Sequence, residues 1–204
     1  MNIILASASP RRKSLLEQIN LKFETAPQNI DEAIDTTVSP ESFAVSTARR
    51  KAEKAASEFS DALIIGSDTI VVYKGEVLGK PAVEAEAFSM LKKLSGNTHT
   101  VITGVVLIRT GAEGQMQSKE EFFEYTKVTF SPLEEDEIRD YIKTGSPMDK
   151  AGAYGIQDDW GSVFVNRIEG DYYNVVGFPL NRFYQTLKIF APEYLPGASS
   201  RNLQ

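Results

Sequence analysis

No cysteine occurs among the 204 residues, which excludes disulfides, thiol catalysis and thiolate metal sites and fits a reducing compartment. The single histidine, His99, has no second imidazole with which to build a zinc site and reads as structural within its strand pattern. No apolar run approaches the roughly 18 residues that a bilayer span requires. Pro10-Arg11-Arg12-Lys13 also interrupts any signal-peptide core near the N-terminus. Positive charge is in deficit: 22 Lys and Arg stand against 28 Asp and Glu, a net charge of −6. That balance argues against sequence-independent nucleic-acid binding, so any phosphate ligand must be held by a local basic pocket. Neither the glycine-rich dinucleotide fingerprint nor a P-loop is present, and there are no internal repeats. The expectation is a soluble cytoplasmic protein with no membrane segment. One domain is expected over residues 1–191, with a C-terminal tail over 192–204 that frays from Ala191.

What is present centres on Leu5-Ala6-Ser7-Ala8-Ser9-Pro10-Arg11-Arg12-Lys13. Asn2 to Ala6 read as a short apolar strand, and Leu15, Leu16 and Ile19 mark one face of a helix. Ser9 falls where an N-cap belongs and Pro10 at the first helical position. Arg11 and Arg12 in that first turn oppose the helix dipole unless an anion sits in front of them. Two readings stand at this point: a phosphate cradle, or an ordinary capped helix with solvated arginines.

Further along, Phe23 to Asp35 is irregular and acidic. Ser39-Pro40-Glu41 predicts a second helix running to about Phe59, with Ala44, Ala48, Lys51, Ala52 and Ala55 on one small-residue face. Arg49, Arg50, Glu53 and Lys54 crowd the other side. Lys51 therefore points to the packed side, as a functional group or as a snorkelling structural lysine. Ala62 to Tyr73 reads as a buried strand interrupted by Gly66-Ser67-Asp68-Thr69. An acid inside such a run is costly to bury without a partner, which singles out Asp68. Lys74-Gly75 turns into Val77-Leu78, and Gly79-Lys80-Pro81 follows. A helix over Val83 to Leu94 closes at Gly96. Thr98 to Arg109 and Gln117 to Phe130 form a long antiparallel hairpin. Ser131-Pro132-Leu133-Glu134 reads as a capping box starting a helix to about Lys143. Pro147 to Gln157 is a glycine-rich loop, Ser162 to Ile168 a strand and Pro179 to Phe190 a last helix. Trp160, Tyr172 and Tyr173 could stack a base or simply pack.

The residual set is unusual: cations Arg11, Arg12, Lys51 and Lys80 together with acids Glu32 and Asp68. Cations plus carboxylates able to hold a hard divalent ion suit a polyphosphate and its Mg²⁺.

Ser7-Ala8-Ser9-Pro10-Arg11-Arg12, Asp31-Glu32, Ala48-Arg49-Arg50-Lys51-Ala52, Gly66-Ser67-Asp68-Thr69, Gly79-Lys80-Pro81, Ser95-Gly96, the run Asp149 to Gln157 and the run Gly170 to Pro179 resemble the Maf family. The resemblance runs in order along nearly the whole chain. These are nucleoside triphosphate pyrophosphatases, historically called septum formation inhibitors. It implies an α/β fold of the inosine-triphosphatase (Maf/Ham1) kind: an elongated mixed sheet with flanking helices and two lobes around a cleft, assembled as a homodimer. It also implies Asp68 as general base and Glu32 as its partner acid, the two holding Mg²⁺ or Mn²⁺, with Ser7, Arg12, Lys51 and Lys80 binding the triphosphate. Whether Asp68 removes the proton or only positions the water stays open. Arg11, Thr69 and Gln157 resemble the subgroup acting on dTTP, UTP and modified uridine triphosphates. The alternatives are a pyrophosphatase for 7-methyl-GTP or another modified purine triphosphate, and a non-catalytic nucleotide-binding regulator of division.

Overall fold

The computed structural model describes residues 2–158 and 160–195. Among the described residues, seven strands and seven α-helices follow in the order β1 (Asn2–Leu5), α1 (Pro10–Gln18), β2 (Glu24–Thr25), α2 (Pro40–Ala56), β3 (Ala62–Tyr73), β4 (Glu76–Leu78), α3 (Glu84–Leu94), β5 (Thr98–Thr110), β6 (Met116–Phe130), α4 (Glu135–Lys143), α5 (Gly161–Phe164), β7 (Val165–Glu169), α6 (Tyr172–Val176) and α7 (Leu180–Phe190). The strands form one mixed sheet in the order β2-β1-β3-β5-β6-β7, with β4 on β3. β1 runs parallel to β2 and β3, and the other pairings are antiparallel. No helix among the described residues is long and apolar enough to cross a membrane.

The strand alternation sorts side chains onto two faces. Ala62 and Ile64 face α2 and pack with Ala48, Ala52 and Ala55. Leu63 and Ile65 face the other way, into a core with Leu15 and Leu16 of α1 and Phe183 and Leu187 of α7. Farther along the same strands, Val71 and Val101 belong to a second core with Leu91 of α3 and Ile138 and Tyr141 of α4. Between these two apolar bodies the strands carry Ser67, Thr69 and Thr103, all polar. The expected pair of lobes is therefore two cores sharing long strands, with a polar gap where neither reaches.

α2 lies unusually close to the sheet. A Cβ on Gly66 would stand 2.3 Å from the Ala48 carbonyl oxygen, and one on Gly104 would stand 2.5 Å from the Ala44 carbonyl carbon. Two missing side chains below and an alanine stripe above bring the helix and its lysine down onto the strand.

Four sequence expectations need correction. β3 is not interrupted at Gly66-Ser67-Asp68-Thr69; Ile65 to Ile70 keep their pairing with Leu107 to Ile102, because ten ladder pairs hold the backbone extended whatever the side chains. The capping box of α4 is Glu134 with Glu137, not Ser131 with Glu134. Ser131 and Leu133 are tied elsewhere, to the Phe164 carbonyl and to Ser95 Oγ, which keeps Pro132 outside the helix. Ser162 to Ile168 is not one strand: N–H groups of Val163 and Phe164 donate to the Trp160 carbonyl, so Gly161–Phe164 coils before β7 begins. The tail expected to fray from Ala191 starts as a 3₁₀ turn over Pro192–Tyr194, with Glu193 paired to Arg109 and Leu195 buried; residues 196–204 lie outside the described residues.

Candidate active site

β1 ends with Leu5 opposite Ile65, and β4 ends with Leu78 opposite Val71. Gly66 to Ile70 thus leave one edge of β3 uncovered, and a cleft of about 690 Å³ opens there. Because that edge is free, side chains from both faces of β3 converge on it. Ser7, Arg11, Arg12, Glu32, Lys51, Asp68, Thr69, Lys80 and Gln157 all line this one cleft, although they span 150 positions of sequence. Trp160, Tyr172 and Tyr173 do not line it; Tyr172 and Tyr173 meet edge to face at 5.6 Å.

Ser9 caps α1 as expected, accepting from the Arg12 N–H at 3.4 Å. Helical phase then turns Arg12 inward while Arg11 stays at the rim. Arg12 is 9 % exposed, and its guanidinium donates to Gly177 O at 3.1 Å, Ser7 Oγ at 3.1 Å and Thr69 Oγ1 at 3.1 Å. All three acceptors are neutral, and Arg12 forms no ion pair among the described residues. Burial pushes its pKa down, against the pull of the nearby Asp68 charge. A buried cation with oriented but uncharged neighbours is a site prepared for an anion. Thr69 is fixed in turn against Thr103 Oγ1 at 3.0 Å and Gly177 O at 3.2 Å.

On the α2 side, Lys51 Nζ lies 2.8 Å from Asp68 Oδ1 and 2.7 Å from Glu32 Oε1. Lys51 is buried, so it is not merely snorkelling to solvent. Partial burial works to raise the Glu32 pKa, but hydrogen bonding to Lys51 and the charges of Lys51, Lys80 and Arg12 bring it below the usual value. Lys80 enters the cleft with no hydrogen bond or ion pair among the described residues.

Arg11 lines the cleft but is already engaged: its Nη1 meets Asp149 Oδ2 at 3.0 Å. Burial would raise the Asp149 pKa, yet Lys150 and Arg11 hold it below its ordinary value. Lys150, itself buried, donates to Asp149 Oδ1 at 2.8 Å and Ser146 O at 2.6 Å and lies 3.4 Å from Asp158 Oδ2. Gln157 Nε2 donates to the same Asp158 oxygen at 3.1 Å, while Gln157 Oε1 is shut from solvent with no partner among the described residues. A carboxylate only accepts, so the amide orientation is forced and its carbonyl oxygen is the orphan acceptor. His99 is structural, as expected: it is buried, with Nε2 2.7 Å from Tyr154 Oη.

Sequence reasoning missed the Asp149–Lys150–Asp158 chain, Thr103 and the Gly177 carbonyl. Adjacent opposite charges in a glycine-rich loop were a usable signal for the first. A backbone carbonyl leaves no signature in sequence.

Residues 2–190 match the family model described as "Maf-like protein". A "dTTP/UTP pyrophosphatase" of Geobacillus sp. (strain WCH70) is 51% identical over 186 residues, covering 91% of this chain and 96% of that protein. Proteins of the same name from Lachnoclostridium phytofermentans and Salinibacter ruber are 47% and 43% identical, covering 92% and 97% of this chain and 94% and 95% of theirs. Among solved structures, a HAM1 protein from Coxiella burnetii superposes with a TM-score of 0.45 at 16% identity, over 65% of this chain and 74% of that one.

Proposed function

The chain belongs to the Maf-like family, and from that premise we infer that it is a nucleoside triphosphate pyrophosphatase converting dTTP and UTP to the monophosphate and pyrophosphate. The observation that carries the reading is one cleft holding a buried Arg12 and a Lys80 that have no ion pair among the described residues, and Lys51 clasped by two carboxylates.

In this reading Arg12, Lys80 and Lys51 bind the triphosphate, with Ser7 and Thr69 holding the Arg12 guanidinium in position. Water attacks the α-phosphorus; its oxygen forms the new P–O bond, and the bond to the bridging oxygen breaks with its electron pair leaving on pyrophosphate. Asp68 accepts the proton or a hydrogen bond from that water. One of its oxygens is committed to Lys51, and the other carries no protein hydrogen bond among the described residues. The cations stabilise charge as it accumulates on the leaving group.

No cluster of three or more metal-ligating side chains exists among the described residues. Glu32 and Asp68 nevertheless fit Mg²⁺ or Mn²⁺: both present hard oxygens to one point, now occupied by the Lys51 ammonium, and such ions take one or two carboxylates plus substrate phosphates. When bound, the ion would draw negative charge from the triphosphate oxygens. The substrate range extends to modified uridine triphosphates, a housekeeping of the nucleotide pool. The working form is a cytoplasmic homodimer.

Pyrophosphate release across a nucleotide panel tests this function. Once the Gln157 side chain turns its orphan Oε1 into the cleft that the residue lines, that oxygen can accept from the N3–H of uracil or thymine, whereas cytosine has no proton there. A buried mismatch costs roughly 1–3 kcal/mol, so kcat/KM for UTP should exceed that for CTP by about ten- to a hundredfold. Equal efficiency on the two would remove the imide contact. A best substrate of 7-methyl-GTP would overturn the substrate class.

A further inference from the structure

Glu32 sits on a segment that the fold scarcely holds. Residues 27–38 contain no helix or strand, and among the described residues none from 27 to 34 shares a backbone–backbone hydrogen bond. Yet the segment walls the cleft and must deliver a carboxylate to Lys51. What holds it is side chains from one stripe of α2. Lys54 Nζ donates to the Asn29 carbonyl at 2.7 Å, and Arg50 Nη1 donates to the Asp31 carbonyl at 2.6 Å. Gln28 Nε2 reaches Glu58 just past the helix at 3.4 Å, and Lys51 meets Glu32 itself. Positions 50, 54 and 58 are one helical turn apart, so the segment is laid antiparallel along the helix, rung by rung. Arg50 is aimed by a second bond, Nη2 to Thr47 Oγ1 at 3.2 Å. Within the segment, the Ala33 N–H donates to Asp31 Oδ1 at 2.9 Å, closing a local turn around Glu32. The sequence placed Arg50 and Lys54 on the side of the helix away from the alanine face; the structure gives both a backbone partner.

We propose that Arg50 and Lys54 are positioning residues that clamp the 29–31 backbone so that the Glu32 carboxylate reaches the site at Lys51 and Asp68. The proposal rests on the pyrophosphatase reading above in that it gives Glu32 a role with Asp68. The clamp acts on carbonyls, so it constrains the segment without neutralising Glu32. Arg49 is the natural control: its guanidinium lies on Glu121 at 2.7 and 2.6 Å and makes no hydrogen bond or ion pair to the segment among the described residues.

The experiment compares wild type, Arg50→Ala/Lys54→Ala, Arg50→Lys and Arg49→Ala. In this cysteine-free chain, Ala33→Cys gives a unique nitroxide attachment point beside Glu32. The double variant should narrow the nitroxide spectrum while leaving far-UV circular dichroism unchanged. Mn²⁺ binding, measured by paramagnetic resonance with the α,β-imido analogue of UTP, should weaken about tenfold, the scale typical of lost support around a ligand. High Mn²⁺ should recover much of kcat, Arg50→Lys should recover part of the affinity, and Arg49→Ala should do neither harm. An unchanged nitroxide spectrum in the double variant overturns the clamp. A mobile segment with unchanged Mn²⁺ affinity and unchanged kcat/KM overturns its positioning role. If Glu32→Gln bound Mn²⁺ as wild type does, the metal assignment would fall instead, and the clamp would be decided by the nitroxide spectrum and kcat/KM.

Discussion

Asp68 shares one ammonium with Glu32, and one of its oxygens is free for water. Asp68→Asn removes the charge and almost no volume, so the fold should persist while kcat falls by well over tenfold, a barrier rise beyond about 1.4 kcal/mol. Retention of more than a tenth of wild-type kcat, with binding intact, would move Asp68 out of the central role. At this scale much of the site was legible. An acid in an apolar strand, two arginines at a helix start and a lysine on an alanine face are each locally anomalous, and all three meet in the cleft. Their partners were less legible, because they are products of topology. Nothing in the sequence tells that Arg11 meets Asp149, 138 positions away, or that Arg12 finds the Gly177 carbonyl.

The element that brings Lys51 to Asp68 is α2, and it can do so because the sheet beneath it has two bare backbone positions. Gly66→Ala would drive a methyl to within 2.3 Å of the Ala48 carbonyl oxygen and 2.7 Å of Ala52 Cβ. The helix must lift, which overpacking data put at roughly 1–3 kcal/mol. At about 2–4 °C per kcal/mol for a chain this size, thermal unfolding should show a clear drop in Tm. Activity should fall with it, since a lift of a few tenths of an ångström lengthens the 2.8 Å contact from Lys51 to Asp68. An unchanged Tm would mean that α2 has slack that the close approach does not suggest. The helices with serine caps and proline, α1 and α2, were readable because capping is local chemistry. The start of α4 and the turn of α5 were misread because tertiary bonds, Ser95 to Leu133 and Phe164 to Ser131, competed with local patterns.

For the molecule as a whole, the two cores share β3 and β5, and the second core encloses the only histidine. His99 is 2 % exposed, its ring 5.1 Å from that of Phe130 and 5.3 Å from that of Tyr154. Desolvation holds its pKa down to about 3, far below the roughly 6.5 of an unfolded chain. The folded protein therefore refuses a proton that the unfolded chain accepts. Stability is fully present above about pH 6.5 and declines as pH falls toward 3, with a limiting slope of about 1.4 kcal/mol per pH unit. The carboxylates act in the same direction but in a lower window: Glu121, hydrogen-bonded chiefly by Arg49, is held at about 2 and takes a proton only below the ordinary carboxylate range, so its contribution is lost between 4.5 and about 2. Between pH 6.5 and 5.5 the slope belongs chiefly to His99, because the carboxylates take up protons mainly below pH 5. His99→Phe keeps an aromatic ring between Phe130 and Tyr154 but leaves Tyr154 Oη without its 2.7 Å partner, so absolute stability should fall. The slope is the diagnostic quantity. Urea unfolding from pH 7 to pH 5 should show wild-type stability decreasing steadily while the variant's stays nearly flat; parallel slopes in the two proteins would place the acid sensitivity outside the second core.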